Sequence, residues 1–560
     1  MERRAYLEGA VPYPEEIVKE YTSKGWWLGL TYGDILDRSV ERYPDKVAVV
    51  DVRISLTYKE LRAKVDRLAI AFLKLGLRKY DRIVFQLPNR HEFLIGFYAA
   101  QRIGAVPVIT VARQEYQEMS HFFKLTEAAA WIVPLRDGKR DYAPLITRIR
   151  AEAKSLKHVI TPEDGPPLPE GVLSLEKLMS RVAPDKYPAD YLARFRPDPN
   201  DVAVIFTTGG TTGLPKGVPR THNSFLSNVR YTGVHTKPEH VRAQVTPIGH
   251  TMAHQGAVGA SIFYGTTLVL IGAPKAKEVL EAIHKYRITD ISFVPTLLED
   301  ILNYPDLGNY DLTCIKYSRT AGAALRPETA ERARKLLSTW GGVFGGGNFG
   351  STEGPNTRER PDAGQTPRGS IGQPGVDGDR WKVIDEEERE LPPNTEGELV
   401  AKGPAVFTGY YKSEAENKTI FTRDGYYKMG DLGRIDEQGF IFITGRKKDI
   451  IQRGGEGIIP KQIEDLLDRL PAVEKSAVVA MPDPRLGEKA CAYVVARQGH
   501  TLTFDEMVAG LKTIGASVLL LPERLEIVSE LPKTSVGKID KKALQNEIRE
   551  KVERESGTKT

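Results

Sequence analysis

Cysteine is nearly absent from this chain of 560 residues: Cys314 and Cys491 are the only two. They stand far apart and without metal-ligand spacing, which argues against a disulfide scaffold or a zinc site. No run of about 18 apolar residues occurs, so no membrane-spanning helix is expected. Met1-Glu2-Arg3-Arg4-Ala5 leads into no apolar stretch, so no secretory signal is read there, and a soluble cytoplasmic protein is expected. An excess of one charge is lacking too. The 79 basic residues nearly balance 74 acidic ones, for a net +5 that is dispersed rather than blocked, and no nucleic-acid or membrane partner is expected. Internal repeats and low-complexity tracts are absent. What remains is a globular composition, 41% hydrophobic and 27% charged, on a chain too long for one core.

Periodicity organises the first half. Leu61, Val65, Leu68, Ala69, Phe72 and Leu73 recur at helical spacing and stop at Gly76. A strand-like run at 82–86, a helical one at 91–103 and a strand at 105–111 follow, the alternation of parallel sheets with crossover helices. It recurs at 202–206, 267–271, 279–286 and 291–294. From about Gly369, short Gly-, Pro- and Asp-rich segments separate strands at 381–384, 397–401 and 440–444. After Arg446 a compact unit is expected, with helices at 460–470, 504–514 and from Lys541, and strands at 475–480, 490–496 and 524–528. The predicted fold is α/β. A large N-terminal domain (1–447) has two mixed α/β sheets and a small β-barrel-like subdomain (about 369–444). A small mobile α+β C-terminal domain (448–560) completes it.

The strand Val202-Ala203-Val204-Ile205-Phe206 runs into Thr207-Thr208-Gly209-Gly210-Thr211-Thr212-Gly213-Leu214-Pro215-Lys216-Gly217. Four hydroxyls, four glycines and a lysine in eleven residues suit a polyphosphate. Glycines let backbone N–H groups approach phosphate oxygens, the hydroxyls add donors, and Lys216 adds charge. Pro215 before the lysine and the glycine spacing exclude the usual P-loop. Gly345-Gly346-Gly347-Asn348-Phe349-Gly350 fits GxGxxG formally but lacks the βαβ context of a dinucleotide site. His250 and His254, at i and i+4, have no third metal ligand in view.

The loop resembles the signature of the adenylate-forming superfamily of acyl-CoA synthetases, aryl-acid ligases, peptide-synthetase adenylation domains and luciferases. Further signatures follow in order: Asn348-Phe349-Gly350-Ser351-Thr352-Glu353, Tyr427-Lys428-Met429-Gly430-Asp431, Gly445-Arg446-Lys447-Lys448-Asp449, Arg453-Gly454-Gly455-Glu456 and Pro532-Lys533-Thr534-Ser535-Val536-Gly537-Lys538. The resemblance implies an ATP site of Thr207, Thr208, Gly209, Gly210, Thr211, Thr212, Gly213, Gly322, Phe349, Gly350, Asp431 and Arg446. Asp431 would accept hydrogen bonds from the ribose diol, Phe349 would lie against adenine, and Arg446 would contact ribose or phosphate. Thr352 would donate to the α-phosphate and Glu353 would hold Mg²⁺, a cation that prefers oxygen ligands. Lys216 and Lys538 complete the implied catalytic set. Lys538 would neutralise charge during attack on the α-phosphate, and donors of this kind are worth about 10²–10³ in rate.

Within the superfamily the sequence is most similar to stand-alone 2,3-dihydroxybenzoate-AMP ligases. The likeness runs from Val11-Pro12-Tyr13-Pro14-Glu15 through Gln86-Leu87-Pro88-Asn89 and Pro219-Arg220-Thr221-His222 to Val536-Gly537-Lys538. Where those enzymes carry a His-Asn pair at the aryl pocket, this chain has His254-Gln255. No aspartate for a substrate ammonium is evident in this region, which favours an acid without an amine. Lys216-Gly217 departs from the dihydroxybenzoate enzymes toward acyl-CoA synthetases. The expectation is therefore an aryl-acid ligase forming a CoA thioester. Transfer to a phosphopantetheinyl carrier protein in trans is the alternative, and a non-catalytic nucleotide sensor a second one. The resemblance also implies a hinge at Lys448, a thioester-step loop at Gly454, Gly455 and Glu456, and a C-terminal domain that rotates between half-reactions. A homodimer is the default expectation for such an enzyme.

Overall fold

The computed structural model describes residues 6–163, 165, 168–208, 215–233, 235–272, 274–320, 327–339, 342–345, 349–358, 366–367, 369–453, 456–534 and 538–555. Two seven-stranded sheets dominate. In one, the strand Val202–Thr207 lies between Gly217–Thr221, antiparallel to it, and Val106–Ile109, parallel to it. Arg82–Phe85, Ala130–Ile132, His158–Thr161 and Val172–Ser174 continue that sheet in parallel. In the other, Val343–Gly345, Tyr317–Thr320, Asp290–Phe293, Val241–Gln244, Thr267–Leu270 and Val47–Val50 run parallel, with Ser55–Thr57 antiparallel at the edge.

The helix His91–Arg102 is buried almost all round, as an element wedged inside a core must be. Tyr98 donates to the Val258 carbonyl at 2.6 Å and so ties it to the chain between the two sheets. The helix Tyr58–Lys74 begins at a capping box in which Thr57 and Glu60 satisfy each other's backbone N–H groups, and it buries Leu61, Val65, Leu68 and Phe72.

The Gly- and Pro-rich stretch forms a four-stranded antiparallel sheet of Arg380–Ile384, Gly397–Lys402, Tyr427–Ile435 and Ile441–Arg446. Beyond it, Ile451–Arg453, Glu456–Ile458, Val473–Asp483, Gly487–Ala496 and Arg524–Ile527 build a separate five-stranded sheet. Helices Pro460–Leu467, Phe504–Thr513 and Lys541–Glu555 pack on it around Val478, Ala492, Leu511 and Ile548. The chain thus has a large N-terminal α/β domain and a small α+β C-terminal one. Among the described residues no helix is long and apolar enough to cross a membrane.

Candidate active site

Antiparallel pairing of Tyr427–Ile435 with Ile441–Arg446 sets Asp431 opposite Arg446. Arg446 Nε lies 2.6 Å from Asp431 Oδ1, although the acid side chain is only 4% exposed and the arginine 44%. Burial pushes the Asp431 carboxyl up to about 6, against the pull of Arg446 and Lys538. Gly430, one residue earlier, has φ +71°, a left-handed conformation that glycine adopts without Cβ strain. Met429, Gly430, Arg446, Lys447 and Lys448 line an open crevice of about 350 Å³ beside the pair.

Glu353 faces the same region. Tyr410 Oη donates to Glu353 Oε1 at 2.8 Å and lies 3.1 Å from the Tyr427 hydroxyl. The Glu353 carbonyl accepts from Phe407 N at 2.8 Å. Arg220, fully buried, fixes this segment by donating to the carbonyls of Thr352 at 3.2 Å and Ala405 at 2.6 Å. Thr352 Oγ1 is 3.4 Å from Thr251 Oγ1. Gly354 holds φ +123°, and a Cβ there would overlap the Ala405 carbonyl. Phe349 stands edge-on to Trp381, with ring centroids 5.9 Å apart, and Gly350 bridges to Asn356.

The ends of the Thr/Gly loop are pinned: Thr208 N donates to the Lys216 carbonyl, and Lys216 N to Thr208 Oγ1, both at 3.0 Å. Thr207 Oγ1 donates to the Ile109 carbonyl at 3.0 Å. Lys216 is ion-paired with Glu416 and lies over the Tyr410 ring, 4.6 Å from its centroid. Gly209, Gly210, Thr211, Thr212, Gly213, Gly322, Gly454 and Gly455 lie outside the described residues.

From the C-terminal domain, Lys538 reaches the same charges. Desolvation is the main cause that holds its ammonium below the usual lysine range; Arg446 and Lys448 add to this, while Asp431 and Glu353 oppose it. Lys538 is exposed to solvent. Its backbone is fixed by reciprocal hydrogen bonds with Thr534, at 2.7 and 3.2 Å. Lys538 also acts on His250, which burial lowers to about 4. Lys448 sits in the short turn Lys447–Asp449 between the two domains' sheets, and Glu456 is exposed on the edge strand Glu456–Ile458.

His254 is completely buried, and neither ring nitrogen has a hydrogen-bond partner. Phe93, Phe97, Phe206, Phe225 and Tyr32 surround it, and burial lowers its pKa to about 3. It is a neutral imidazole in an aromatic wall. Gln255 opens a π-helical segment, Gln255–Ala260, the kind of helix irregularity that often marks a functional site. Among the described residues, one trio could offer metal ligands: Asp51, His91 and Glu92. Arg90 and Arg53 already neutralise Glu92 at 2.9 Å, and His91 meets Asp51 at 2.6 Å, so it is an ion-pair network.

Sequence reading missed Tyr410, which joins Glu353 to Lys216, and gave no task to Arg220. The Pro219-Arg220-Thr221-His222 motif was a signal for the second; nothing in the sequence marked the first.

The model of the AMP-binding enzyme family matches residues 36–411, and that of the AMP-binding enzyme C-terminal domain matches 462–538. A 2,3-dihydroxybenzoate-AMP ligase of Bacillus subtilis (strain 168) is 32% identical over 551 residues, covering 98% of this chain and 99% of the relative. A Streptomyces sp. protein named salicylyl-CoA synthase / salicylate adenylyltransferase is 33% identical over 98% of this chain and 99% of its own. A salicyl-AMP ligase / salicyl-S-ArCP synthetase of Mycobacterium tuberculosis (strain ATCC 25618 / H37Rv) is 31% identical, covering 97% and 95%. Among solved structures, apo MbtA of Mycobacterium smegmatis superposes with a TM-score of 0.69 at 32% identity, covering 96% of this chain and 99% of that one. ATP-bound MatB of Rhodopseudomonas palustris gives 0.80 at 25% identity, covering 92% and 99%.

Proposed function

The chain belongs to the AMP-binding enzyme family, and from that premise we propose that it activates an aryl carboxylic acid and transfers it to a carrier-protein thiol. In the first half-reaction R–COO⁻ and ATP give R–CO–AMP and pyrophosphate. In the second, a phosphopantetheinyl thiol displaces AMP.

The observation that carries the first half-reaction is the buried Asp431 paired with Arg446 at the edge of an open crevice, with the exposed Lys538 of the C-terminal domain near enough to sense both charges. Asp431 offers a buried acceptor suited to a ribose diol, and Arg446 holds it in place and faces the crevice. Lys538 supplies the cation that offsets charge at the α-phosphate as pyrophosphate leaves. Thr352 and the pinned Thr/Gly loop supply donors, and Lys216 a further charge. Glu353 accepts one hydrogen bond from Tyr410 and keeps carboxylate capacity for a hard cation, so it fits as a Mg²⁺ ligand. Bound there, Mg²⁺ would supply charge neutralisation for the phosphates.

The acceptor reading departs from the CoA thioester expected from Lys216-Gly217. Two of the relatives are named AMP ligases, one of them also an S-ArCP synthetase, which favours a carrier protein in trans. A CoA thioester is the second reading, favoured by the relative named salicylyl-CoA synthase. The electrostatic reach of Lys538 to Asp431 and Arg446 supports an adenylation arrangement of the two domains. For thioester formation we assign a rotation at Lys448, between domains spanning 1–447 and 448–560, that exchanges Lys538 for the 454–456 loop.

The test is a panel of aryl, alicyclic and short-chain acids assayed for ATP–pyrophosphate exchange, then for thioester formation with CoA or a holo carrier protein. Aryl acids should support exchange, and the carrier should be acylated faster than CoA. Exchange with aliphatic acids alone would overturn the substrate class, and CoA as the better acceptor would overturn the second step.

A further inference from the structure

A second group of charges lies against the helical segment that carries His254 and Gln255. A cavity of about 20 Å³, room for one water-sized group, is bounded there by Met252, Gly256, Arg242, Asp290, Ser292 and Arg319. Parallel pairing brings the charges together: Arg242 stands beside Asp290, and Ser292 beside Arg319, on adjacent strands. The Arg242 and Asp290 side chains are 6% and 8% exposed, with Nη2 3.5 Å from Oδ1, and Arg242 Nη1 donates to Thr236 Oγ1 at 3.2 Å. Arg319 Nε donates to Ser292 Oγ at 2.9 Å. Among the described residues its Nη1 and Nη2 have no hydrogen-bond partner.

Two guanidiniums therefore face one carboxylate. The other titratable groups that act on Arg242 are the phenols of Tyr264 and Tyr317, uncharged near neutral pH. His240, which also senses Asp290, is held below the usual imidazole range by burial. The cluster keeps a net positive charge: Arg242 and Asp290 are buried, whereas Arg319 and Ser292 are half-buried, so that an anion or strong acceptor can approach Arg319 and offset the surplus. Gly256 leaves the space open: even a Cβ there would come only within 3.9 Å of Arg242 Nη2.

We propose that this cluster is the far end of the acid pocket, and that Arg319 selects acids bearing a compact, anionic or strongly accepting oxygen away from the reacting carboxyl. A ring hydroxyl and a second carboxylate share that chemistry. Arg319 is the specificity-determining residue, while Arg242 and Asp290 set the charge beside it. The inference rests on the adenylation reading and deepens it.

The test uses acids on one skeleton: benzoate, the three monohydroxybenzoates and the three benzenedicarboxylates. With the full-length enzyme, acid-dependent pyrophosphate exchange and the acid-induced rise in Tm are both measured. At least one oxygen-bearing acid should exceed benzoate in kcat/KM by about 10- to 150-fold, the range of a hydrogen bond to a charged group, and Arg319→Met should shrink that ratio to about threefold or less. KM for ATP should hold. Arg319→Lys should keep part of the preference, and an ATP-induced rise in Tm shows that each variant is folded. Whether hydroxybenzoates or dicarboxylates lead identifies the oxygen. Benzoate used as well as every substituted acid, or a preference that survives Arg319→Met, overturns the proposal. Exchange with no acid at all defeats the adenylation reading instead, and the Tm shifts still decide whether Arg319 selects.

Discussion

Asp431 is ionised at neutral pH against the preference of its surroundings. Displacement of its pKa from 3.8 to about 6 corresponds to roughly 3 kcal/mol of destabilisation once the carboxylate is charged. Such a cost is sustained where the charge has work to do on a ligand. Asp431→Asn should raise the Tm of the ligand-free enzyme at pH 7.5 and weaken ATP, with KM up about tenfold or more. A variant that is less stable and binds ATP normally would make Asp431 a structural residue. His254 presents the opposite case, two unpartnered ring nitrogens in an aromatic wall. His254→Leu, similar in volume, should change stability by no more than about 1 kcal/mol at pH 7.5 in thermal or urea unfolding, since no hydrogen bond is lost.

Among the elements, the segment 349–358 is held by Arg220 on one side and by the Gly354–Ala405 contact on the other. Gly354→Ala would introduce a Cβ where the Ala405 carbonyl stands and at a φ that L residues avoid. It should cost about 3 kcal/mol or more and remove exchange activity, measured by unfolding and by pyrophosphate exchange. Lys448 belongs to a single turn rather than to a long helix or a sheet. Lys448→Pro should impair one half-reaction far more than the other, and equal rates in both would remove the hinge from that position. Much at this scale was legible. The apolar spacing of Leu61, Val65, Leu68 and Phe72 marked the helix Tyr58–Lys74, and the run at 91–103 marked His91–Arg102. The π-helical segment after His254 was not legible, because it depends on packing: Gly259 has its missing Cβ against Val229 of another helix. Nor was the pairing of Lys216 with Glu416, 200 residues away, since neither position carries a local sign of the other.

Across the whole molecule, burial of ionisable groups sets how stability responds to pH. His222, His250 and His254 are lowered from 6.5 to about 4, 4 and 3. Each contributes stability that is present above about pH 6.5 and lost as pH falls toward those values. Asp431 and Asp379 are raised, to about 6 and about 8, so their contribution is present at low pH and lost as pH rises through those values. The Tm of the ligand-free enzyme should therefore peak between about pH 6.5 and 7 and fall on both sides. Asp379→Asn should flatten the alkaline limb, and His254→Leu the acid limb. A Tm that climbs steadily to pH 8 would contradict this balance. The order of sequence motifs made the family and the fold of one large and one small domain legible, because each motif is local. The electrostatic coupling of Lys538 to Asp431, and the surplus guanidinium at Arg319, arise only when distant segments fold together.

If Lys538 serves the adenylation half-reaction from the C-terminal domain, its removal separates the two half-reactions. Lys538→Ala should lower acid-dependent ATP–pyrophosphate exchange by about 10²–10³-fold, while thioester formation from preformed acyl adenylate stays within about threefold of the parent enzyme. Equal loss of both activities, or exchange that survives intact, would contradict it.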